Sequence, residues 1–595
     1  MPQYTPPLRE MQFVMHELLN AEAVLKTLPK HKEVNRELID QVLDEGGKFC
    51  AEVLLPINQS GDEEGCTYMG DGVVKTPKGF KEAFARFCEA GWPSLSCAEE
   101  HGGQGLPHII QTGFQEMMNS TNQAWTMYPG LTHGAYACLA HHGSDALKVA
   151  YLPKLVSGQW LGTMCLTEPH CGTDLGMLRS KAEAQPDGSF KITGNKIFIS
   201  AGEHDMSENI IHLVLARMTD SPPGVKGISL FLVPKFIPNA DGSLGARNGI
   251  KCARIEEKMG IHGNATCAID LDGAIGWPVG EANKGLNAMF VFMNAARLGV
   301  GMQSLGLMEA AYQNSAAYAK ERVQGRSLSG PKAPDKQADP IIVHPDVRRM
   351  LLTQRAYTEG SRALAYWVSL MIDEYENHPD AQERKTIEQM VALLTPIVKA
   401  FITDAGWECT SLGLQVFGGH GYIREWGMEQ LVRDSRINMI YEGTNTIQSL
   451  DLLGRKVLSN NGATLRTFGK LVSELIESEG HREDMAEFIN PLADLGQKVE
   501  KLTTEIGMKA FGNQDEAGAV AVPYLRVVSH LVLSYLWARM AKIALDKQST
   551  GDNFYKAKLA TARFYFAKLQ PETASLIRVA RSGAAPLMDL DAALF

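Results

Sequence analysis

The sequence has little of what marks several common protein classes. Its ten cysteines (Cys50, Cys66, Cys88, Cys97, Cys138, Cys165, Cys171, Cys252, Cys267 and Cys409) form no CxxC pair. That spacing argues against a disulfide framework or a zinc site and for reduced, mostly buried thiols. Basic charge is not in excess either: 58 Lys+Arg against 68 Asp+Glu give a formal net charge of −10, which disfavours nucleic acid as the main partner. No run reads as long enough to cross a bilayer, and residues 1–10, with Arg9 among prolines, lack the apolar core of a signal peptide. The expectation is a globular, cytoplasmic protein. Its 595 residues exceed one core and suggest three or four domains, with 45% hydrophobic residues to build them.

The first 160 residues carry helical spacing, with Met11, Val14, Met15, Leu18 and Leu19 on one face and a second run, 38–55, expected to stop at Pro56. Trp92-Pro93 and Gly102-Gly103-Gln104-Gly105 mark a loop. From Leu161 the period becomes two. Phe190 and Ile192 alternate, Gly194-Asn195 reads as a hairpin turn, Ile197 and Ile199 resume the alternation, and strands are expected over 210–217, 227–236 and 266–271. A β domain over 161–280 follows, and its loop 166–174 offers hydroxyl and N–H donors to an anion or a polar heterocycle. Helical spacing returns at Gly285, with runs 298–322, 347–372 and 395–417, the last expected to open with Thr395 as N-cap and Pro396 at the first helical position. These read as a four-helix bundle over 281–459, interrupted by a proline- and glycine-rich loop at 325–345. Residues 460–595 add a further helical domain.

One stretch concentrates chemistry. Glu442 is placed between an apolar, strand-like run (437–441) and a helical pattern carrying Ile447, Leu450, Leu452 and Leu453. Gly443 permits close approach of a ligand, and Thr444 or Asn445 can cap the helix, aiming its first N–H groups at whatever lies beside the carboxylate.

Three motifs in order carry a family resemblance: Thr167-Glu168-Pro169-His170-Cys171-Gly172-Thr173-Asp174 to "TEPxxGSD", Gln415 to Tyr422 to "QxxGGxGY", and Arg433 to Gln448 to "RDxRIxxIYEGTxxIQ". Together with the order helices, β domain, bundle, they resemble the acyl-CoA dehydrogenase family over residues 9–456. The fold class implied is mainly α with a central β-barrel-like domain, an N-terminal helical domain (1–160), the β domain, the four-helix bundle and a C-terminal helical extension. The extension, the Met1-Pro2 start and the insert around 328–345 are similar to the long branch that includes 3-methylthiopropionyl-CoA dehydrogenases and bacterial fatty acyl-CoA dehydrogenases.

The resemblance implies FAD, an acyl-CoA substrate and an electron-transfer flavoprotein as acceptor. Glu442 is implied to remove the α-proton while the β-hydrogen leaves as hydride to flavin N5, giving a trans-2-enoyl-CoA. A carboxylate is a weak base for that proton, so the family holds the thioester carbonyl with the Glu442 N–H and a ribityl hydroxyl and excludes water. Leu166, Thr167, Gly172 and Thr173 are implied to line the flavin, with Thr173, where the family usually has serine, near the pyrophosphate and the substrate. Phe198 and Ser200 fall where many members have Trp and Thr. Arg322 matches an FAD-phosphate arginine, and Gln415, Val416, Phe417, Gly418 and Gly419 match a segment reaching the adenosine part of FAD in a neighbouring subunit, which implies a homodimer. Thr444, Asn445 and Thr446 are placed among the cofactor contacts, and Gly443 against the substrate. Arg297 matches a CoA-contacting arginine, whereas Asn294 replaces the usual aspartate and Pro345 a common glutamine beside the adenine. No metal ligand set is implied.

Two rivals differ in the electron acceptor or the partner. An acyl-CoA oxidase keeps the base and the flavin but reduces dioxygen. A nucleic-acid-binding flavoprotein needs a basic C-terminal domain, and residues 461–595 carry sixteen basic and sixteen acidic residues. An interaction protein without catalysis is opposed by the complete motif around Glu442. Within 539–581 basic residues outnumber acidic ones and alternate with aromatics. The reading is nevertheless a helix face packed on the bundle, without membrane association.

Overall fold

The computed structural model describes residues 3–595; Met1 and Pro2, whose start resembles the extended branch, lie outside the described residues. The chain divides into two compact units: residues up to Gly46 with His108–Glu116 and Val300–Phe595, and Gly47–Pro107 with Met117–Gly299.

The second unit holds the sheet. Trp160–Cys165 pairs in parallel with Asn209–Met218, which also pairs in parallel with Lys181–Ala184. Phe190–Ser200 lies antiparallel between Lys181–Ala184 and Thr266–Pro278, and Ile250–Ile255 extends that side. Ser229–Pro234 pairs with both Asn209–Met218 and Thr266–Pro278, curling the sheet toward a barrel. Asn209–Met218 and Ser229–Pro234 are buried along nearly their whole length, and accordingly read as continuous Val/Leu/Ile runs. The hairpin expected at Gly194-Asn195 is absent: Phe190–Ser200 is one strand. Glycine is required there for another reason, because a Cβ at Gly194 would lie 2.9 Å from Ser180 Cα. Nor does the second helical run stop at Pro56. Arg36–Phe49 continues through Cys50–Leu54 into the tight turn Leu55–Ile57 and then Asn58–Glu64. Pro56 falls near the start of that turn, where a missing N–H costs little.

The first unit is helical. Its long members are the latter part of Gly285–Glu321, Pro345–Asn377 and Ala381–Phe417, followed by Met428–Arg436 and then the extension helices Ala463–Glu479, Ala486–Gly512, Asp515–Asp546, Asn553–Phe564 and Glu572–Arg581. Helix Ala381–Phe417 opens at Asp380, whose carboxylate accepts from Gln382 N and Glu383 N, so Thr395-Pro396 lies mid-helix instead of capping a new one. Ala381–Phe417 and Asp515–Asp546 are also long and apolar enough to cross a bilayer, contrary to the sequence reading. Their most apolar windows are 72% and 78% buried in the fold, which accounts for the hydrophobicity as core.

In this unit two centres of buried charge tie the helices together. Arg362 donates to Glu116 and Glu309, and Tyr366 donates to Glu116. Lys558 of the extension, fully buried, donates to Glu10 of the N-terminal helix and to Glu359 of Pro345–Asn377 (2.6 Å). The extension and the N-terminus are thus clasped to one bundle helix. The basic stretch 539–581 is largely consumed this way: Lys547 pairs with Glu17, Lys542 with Asp546, Arg563 with Glu487 and Arg581 with Glu505.

Among the described cysteines none is bonded to another, and eight of the ten are buried.

Candidate active site

In the β unit the loop after Trp160–Cys165 is held by an ion pair that sequence reasoning did not single out. Lys196, fully buried, donates to Glu168 Oε1 (2.9 Å) and to the Leu166 carbonyl (3.1 Å). Glu168 also accepts from Ser180 Oγ (2.6 Å), Ser180 N (3.0 Å) and Arg179 N (2.8 Å). Burial raises the Glu168 carboxyl, but the Lys196 charge and these donors outweigh it and hold the carboxyl below the usual range; at Lys196 burial prevails and lowers the ammonium. Ile197 N donates to the Thr167 carbonyl (2.9 Å), which ties this loop to Phe190–Ser200.

The pinned loop leaves Gly172 and Thr173 exposed, and the adjoining strand carries Phe198, 61% exposed, with Ser200 half-buried two residues on. Phe198 has φ +59°, a conformation that costs a bulky residue about 1–3 kcal/mol. A large ring held outward in a strained backbone, next to hydroxyls and N–H donors, fits the face of a flat heterocycle. His170 and Cys171 lie close to Glu168, but the Glu168 carboxylate is already taken up by Lys196, Ser180 and Arg179. In the same unit Arg297 is buried and its guanidinium donates to the exposed Asn294 (3.4 Å), so these two substrate-assigned residues touch.

In the helical unit Arg322 and Gln415, Val416, Phe417, Gly418 and Gly419 are brought together around a cavity of about 380 Å³, with Tyr318, Gln324, Ile341 and His420 completing its wall. Tyr318 stacks on Phe417 at 4.1 Å between centroids, its hydroxyl bonds His420 Nδ1 (2.8 Å), and His420 stacks on Trp426 at 4.8 Å. Gly418 has φ +59° and ψ −136°, and a Cβ at Gly418 or Gly419 would meet nothing within 4 Å. Exposed guanidinium, open glycine backbone and aromatic wall suit an anionic group carrying a planar base. Tyr318 and Trp426 were not anticipated, although Tyr318 lies one helical turn before Arg322. Pro345 opens helix Pro345–Asn377 with His344 at the N-cap.

Glu442 occupies a reversal between two helical segments. The preceding residues are not a strand: Ile437–Met439 is a 3-10 turn that continues helix Met428–Arg436, with Ile440 N donating to the Ile437 carbonyl (2.8 Å). Helix continuation overrides the β-branched character of the run. Glu442 (φ +59°) and Gly443 (φ +81°) are then consecutive left-handed residues. Gln448, fully buried, secures them by donating to the Glu442 carbonyl (3.0 Å) and the Gly443 carbonyl (3.4 Å). A Cβ at Gly443 would lie 2.8 Å from Gln448 Nε2, so glycine is required both for conformation and for space.

Thr444 is the N-cap, accepting from Ile447 N (3.4 Å), and Thr446 is exposed in the first turn. The carboxamide of Asn445, among the implied cofactor contacts, is engaged by Lys399, Thr403 and Asp404 of helix Ala381–Phe417. The Tyr441 hydroxyl donates to Gln303. A non-glycine residue kept left-handed by a dedicated glutamine is strain held in place by its surroundings, as functional turns store it.

The sequence matches the descriptions "Acyl-CoA dehydrogenase, N-terminal domain" over residues 36–159, "Acyl-CoA dehydrogenase, middle domain" over 163–274 and "Acyl-CoA dehydrogenase, C-terminal domain" over 283–458. Residues 468–591 match "Acetyl-CoA dehydrogenase C-terminal like". The chain is 40% identical over 570 residues to a 3-methylmercaptopropionyl-CoA dehydrogenase of Ruegeria pomeroyi, covering 94% of this chain and 95% of that one. It is 34% identical over 548 residues to a broad-specificity linear acyl-CoA dehydrogenase, FadE5, of Mycobacterium tuberculosis, covering 88% of each. The fold is similar to that of an acyl-CoA dehydrogenase from Bacillus anthracis solved in complex with FAD, with TM-score 0.74 and 21% identity, covering 93% of this chain and 90% of that one. The chain belongs to the acyl-CoA dehydrogenase family and is an FAD-dependent oxidoreductase of that family.

Proposed function

We propose that Glu442 is the general base of an α,β-dehydrogenation of an acyl-CoA thioester to the trans-2-enoyl-CoA. The observation that carries this reading is the turn itself: a carboxylate on a left-handed residue, locked by Gln448 and followed by a glycine and a capped helix start. Fixing the backbone fixes the reach of the carboxylate, and positioning is worth several kcal/mol in such a proton transfer.

FAD, when bound, supplies the hydride acceptor at N5. Leu166, Thr167, Gly172 and Thr173, on the loop pinned by Lys196, together with Phe198 and Ser200, would hold the flavin. Arg322 would meet FAD phosphates, and the Gln415–Gly419 backbone would reach the adenosine part of the FAD in the neighbouring subunit. Gly443 would lie against the substrate, and Arg297 with Asn294 against the CoA moiety.

Among acyl groups, the 40% identity to a 3-methylmercaptopropionyl-CoA dehydrogenase favours the 3-methylthiopropionyl thioester, and the relative described as a broad-specificity linear acyl-CoA dehydrogenase leaves a medium- or long-chain fatty acyl thioester as the other option. An electron-transfer flavoprotein as acceptor, a homodimeric assembly and a cytoplasmic location complete the proposal. A ladder of CoA thioesters that includes the 3-methylthiopropionyl ester, assayed with wild type and Glu442→Gln, tests it. Wild type should turn over at least one of them and Glu442→Gln should do so at a rate lower by a factor of about 10²–10⁴ or more. Turnover by the variant at the wild-type rate would place the base elsewhere.

A further inference from the structure

Three residues after Glu442, the carboxamide of Asn445 meets opposite charges on its two ends. Its Oδ1 accepts from Lys399 Nζ (2.8 Å) and Thr403 Oγ1 (3.2 Å). Its Nδ2 donates to Asp404 Oδ1 (2.6 Å), to the Ala400 carbonyl (3.1 Å) and to Thr403 Oγ1 (2.9 Å). Lys399 and Thr403 are fully buried and Asp404 is half-buried, all on little more than one turn of helix Ala381–Phe417. An amide is the one side-chain group of this size that presents an acceptor to an ammonium and donors to a carboxylate at once. An aspartate here would set two acids together, and an apolar residue would leave a buried lysine and a carboxylate without their common partner.

A second layer lies behind this grip. Helix Asp515–Asp546 of the extension packs on Asn445–Leu450. From it Arg526 reaches Glu408 (3.6 Å), four residues beyond Asp404, and lies 5.8 Å from the Phe401 ring while bonded to Glu572. Burial pushes the Asp404 carboxyl upward, and the bond from Asn445 and the charges of Arg526, Lys399 and Arg436 oppose that rise.

We propose that Asn445 is a positioning residue for the catalytic turn: gripped by Lys399, Thr403 and Asp404, it anchors the helix that follows Glu442 and so fixes where the Glu442 carboxylate lies, and the C-terminal extension backs that anchor through Arg526. The inference rests on Glu442 being the base. It gives the extension a part in the reaction besides covering the bundle.

The test compares Asn445→Ala, Lys399→Gln, Asp404→Asn and, as a surface control in the extension, Arg563→Ala, each as FAD-loaded full-length enzyme, for FAD content, thermal midpoint, kcat and KM. Asn445→Ala should keep its FAD and lose kcat on the order of 10- to 100-fold with KM changed far less, because a carboxylate displaced by about 1 Å loses the productive geometry. Asp404→Asn, which retains an acceptor for Nδ2 but removes the charge, should show the same kcat-selective loss to a smaller extent than Asn445→Ala, and Arg563→Ala should keep kcat near wild type. If Asn445→Ala does not fold, Lys399→Gln, which keeps a donor while removing the charge, must show the same kcat-selective loss. An unchanged kcat per bound FAD in the folded variant overturns the proposal, as does a loss confined to FAD content or thermal midpoint. If Glu442→Gln is inactive while Asn445→Ala is not, only the anchor fails; if Glu442→Gln is active, the assignment of the base fails.

Discussion

Replacing Lys558 with methionine removes the cation that the fold has buried between two acids. Lys558 has no exposed surface, Glu359 retains 5% and Glu10 20% of its side-chain exposure, and Arg355, at 2.5 Å from Glu359 and 3.5 Å from Glu10, is the only other cation paired with either among the described residues. Breaking one partner out of such a cluster costs about 3–5 kcal/mol, because the remaining charges stay desolvated. The pH dependence is sharper still. In the wild type, burial raises the Glu359 carboxyl but Lys558 and Arg355 outweigh it and hold it at about 2, against 4.5 when unfolded. Its contribution is therefore present above pH 4.5 and lost as pH falls toward 2. In Lys558→Met the two acids repel each other without the lysine, their protonation is favoured in the folded state, and acid relieves the strain. The destabilisation should be largest at pH 7 and shrink as pH falls toward 4.5. Urea unfolding of wild type and variant at a series of pH values measures it. A penalty under about 1 kcal/mol, the range of an exposed ion pair, or one independent of pH, would refute the reasoning.

Arg322→Ala should weaken FAD binding by about 1.5–3 kcal/mol, a ten- to hundredfold rise in Kd, since it removes the guanidinium from the cavity wall it shares with Gln415–Gly419; an unchanged Kd by fluorescence titration would mean that this cavity does not hold the phosphates. Light scattering should give the mass of a dimer under the proposed homodimeric assembly, and a tetramer mass would contradict that. Anionic liposomes at physiological salt should not sediment the protein, because Lys547, Lys542, Arg563 and Arg581 are committed to intrachain acids; salt-sensitive co-sedimentation would show that those pairs open at a surface.

The parts of the site legible in the sequence were those written locally. Glu442-Gly443-Thr444 reads as a turn with a cap because glycine and threonine have few other uses there, and the structure has that turn. Alternation at Phe190, Ile192, Ile197 and Ile199 correctly marks a strand, yet Gly194 misleads: a glycine that admits a neighbouring strand looks the same in sequence as one that turns the chain. Ile437–Tyr441 fails because β-branched residues can continue a helix when its capping and packing demand it, and Pro396 fails because a long buried helix tolerates one missing hydrogen bond. Long-range partners leave no local signal. Nothing near Lys399 announces Asn445, nothing near Lys196 announces Glu168, and Lys558 gives no sign of lying between Glu10 and Glu359.

Glu442 as the base is tested by the rate of trans-2-enoyl-CoA formation by FAD-loaded Glu442→Gln beside wild type, with a CoA thioester that the wild type oxidises. The amide keeps the volume and cannot accept the proton, so FAD content should match wild type while the rate falls by a factor of about 10²–10⁴ or more. A variant within tenfold of wild type would contradict Glu442 as the base.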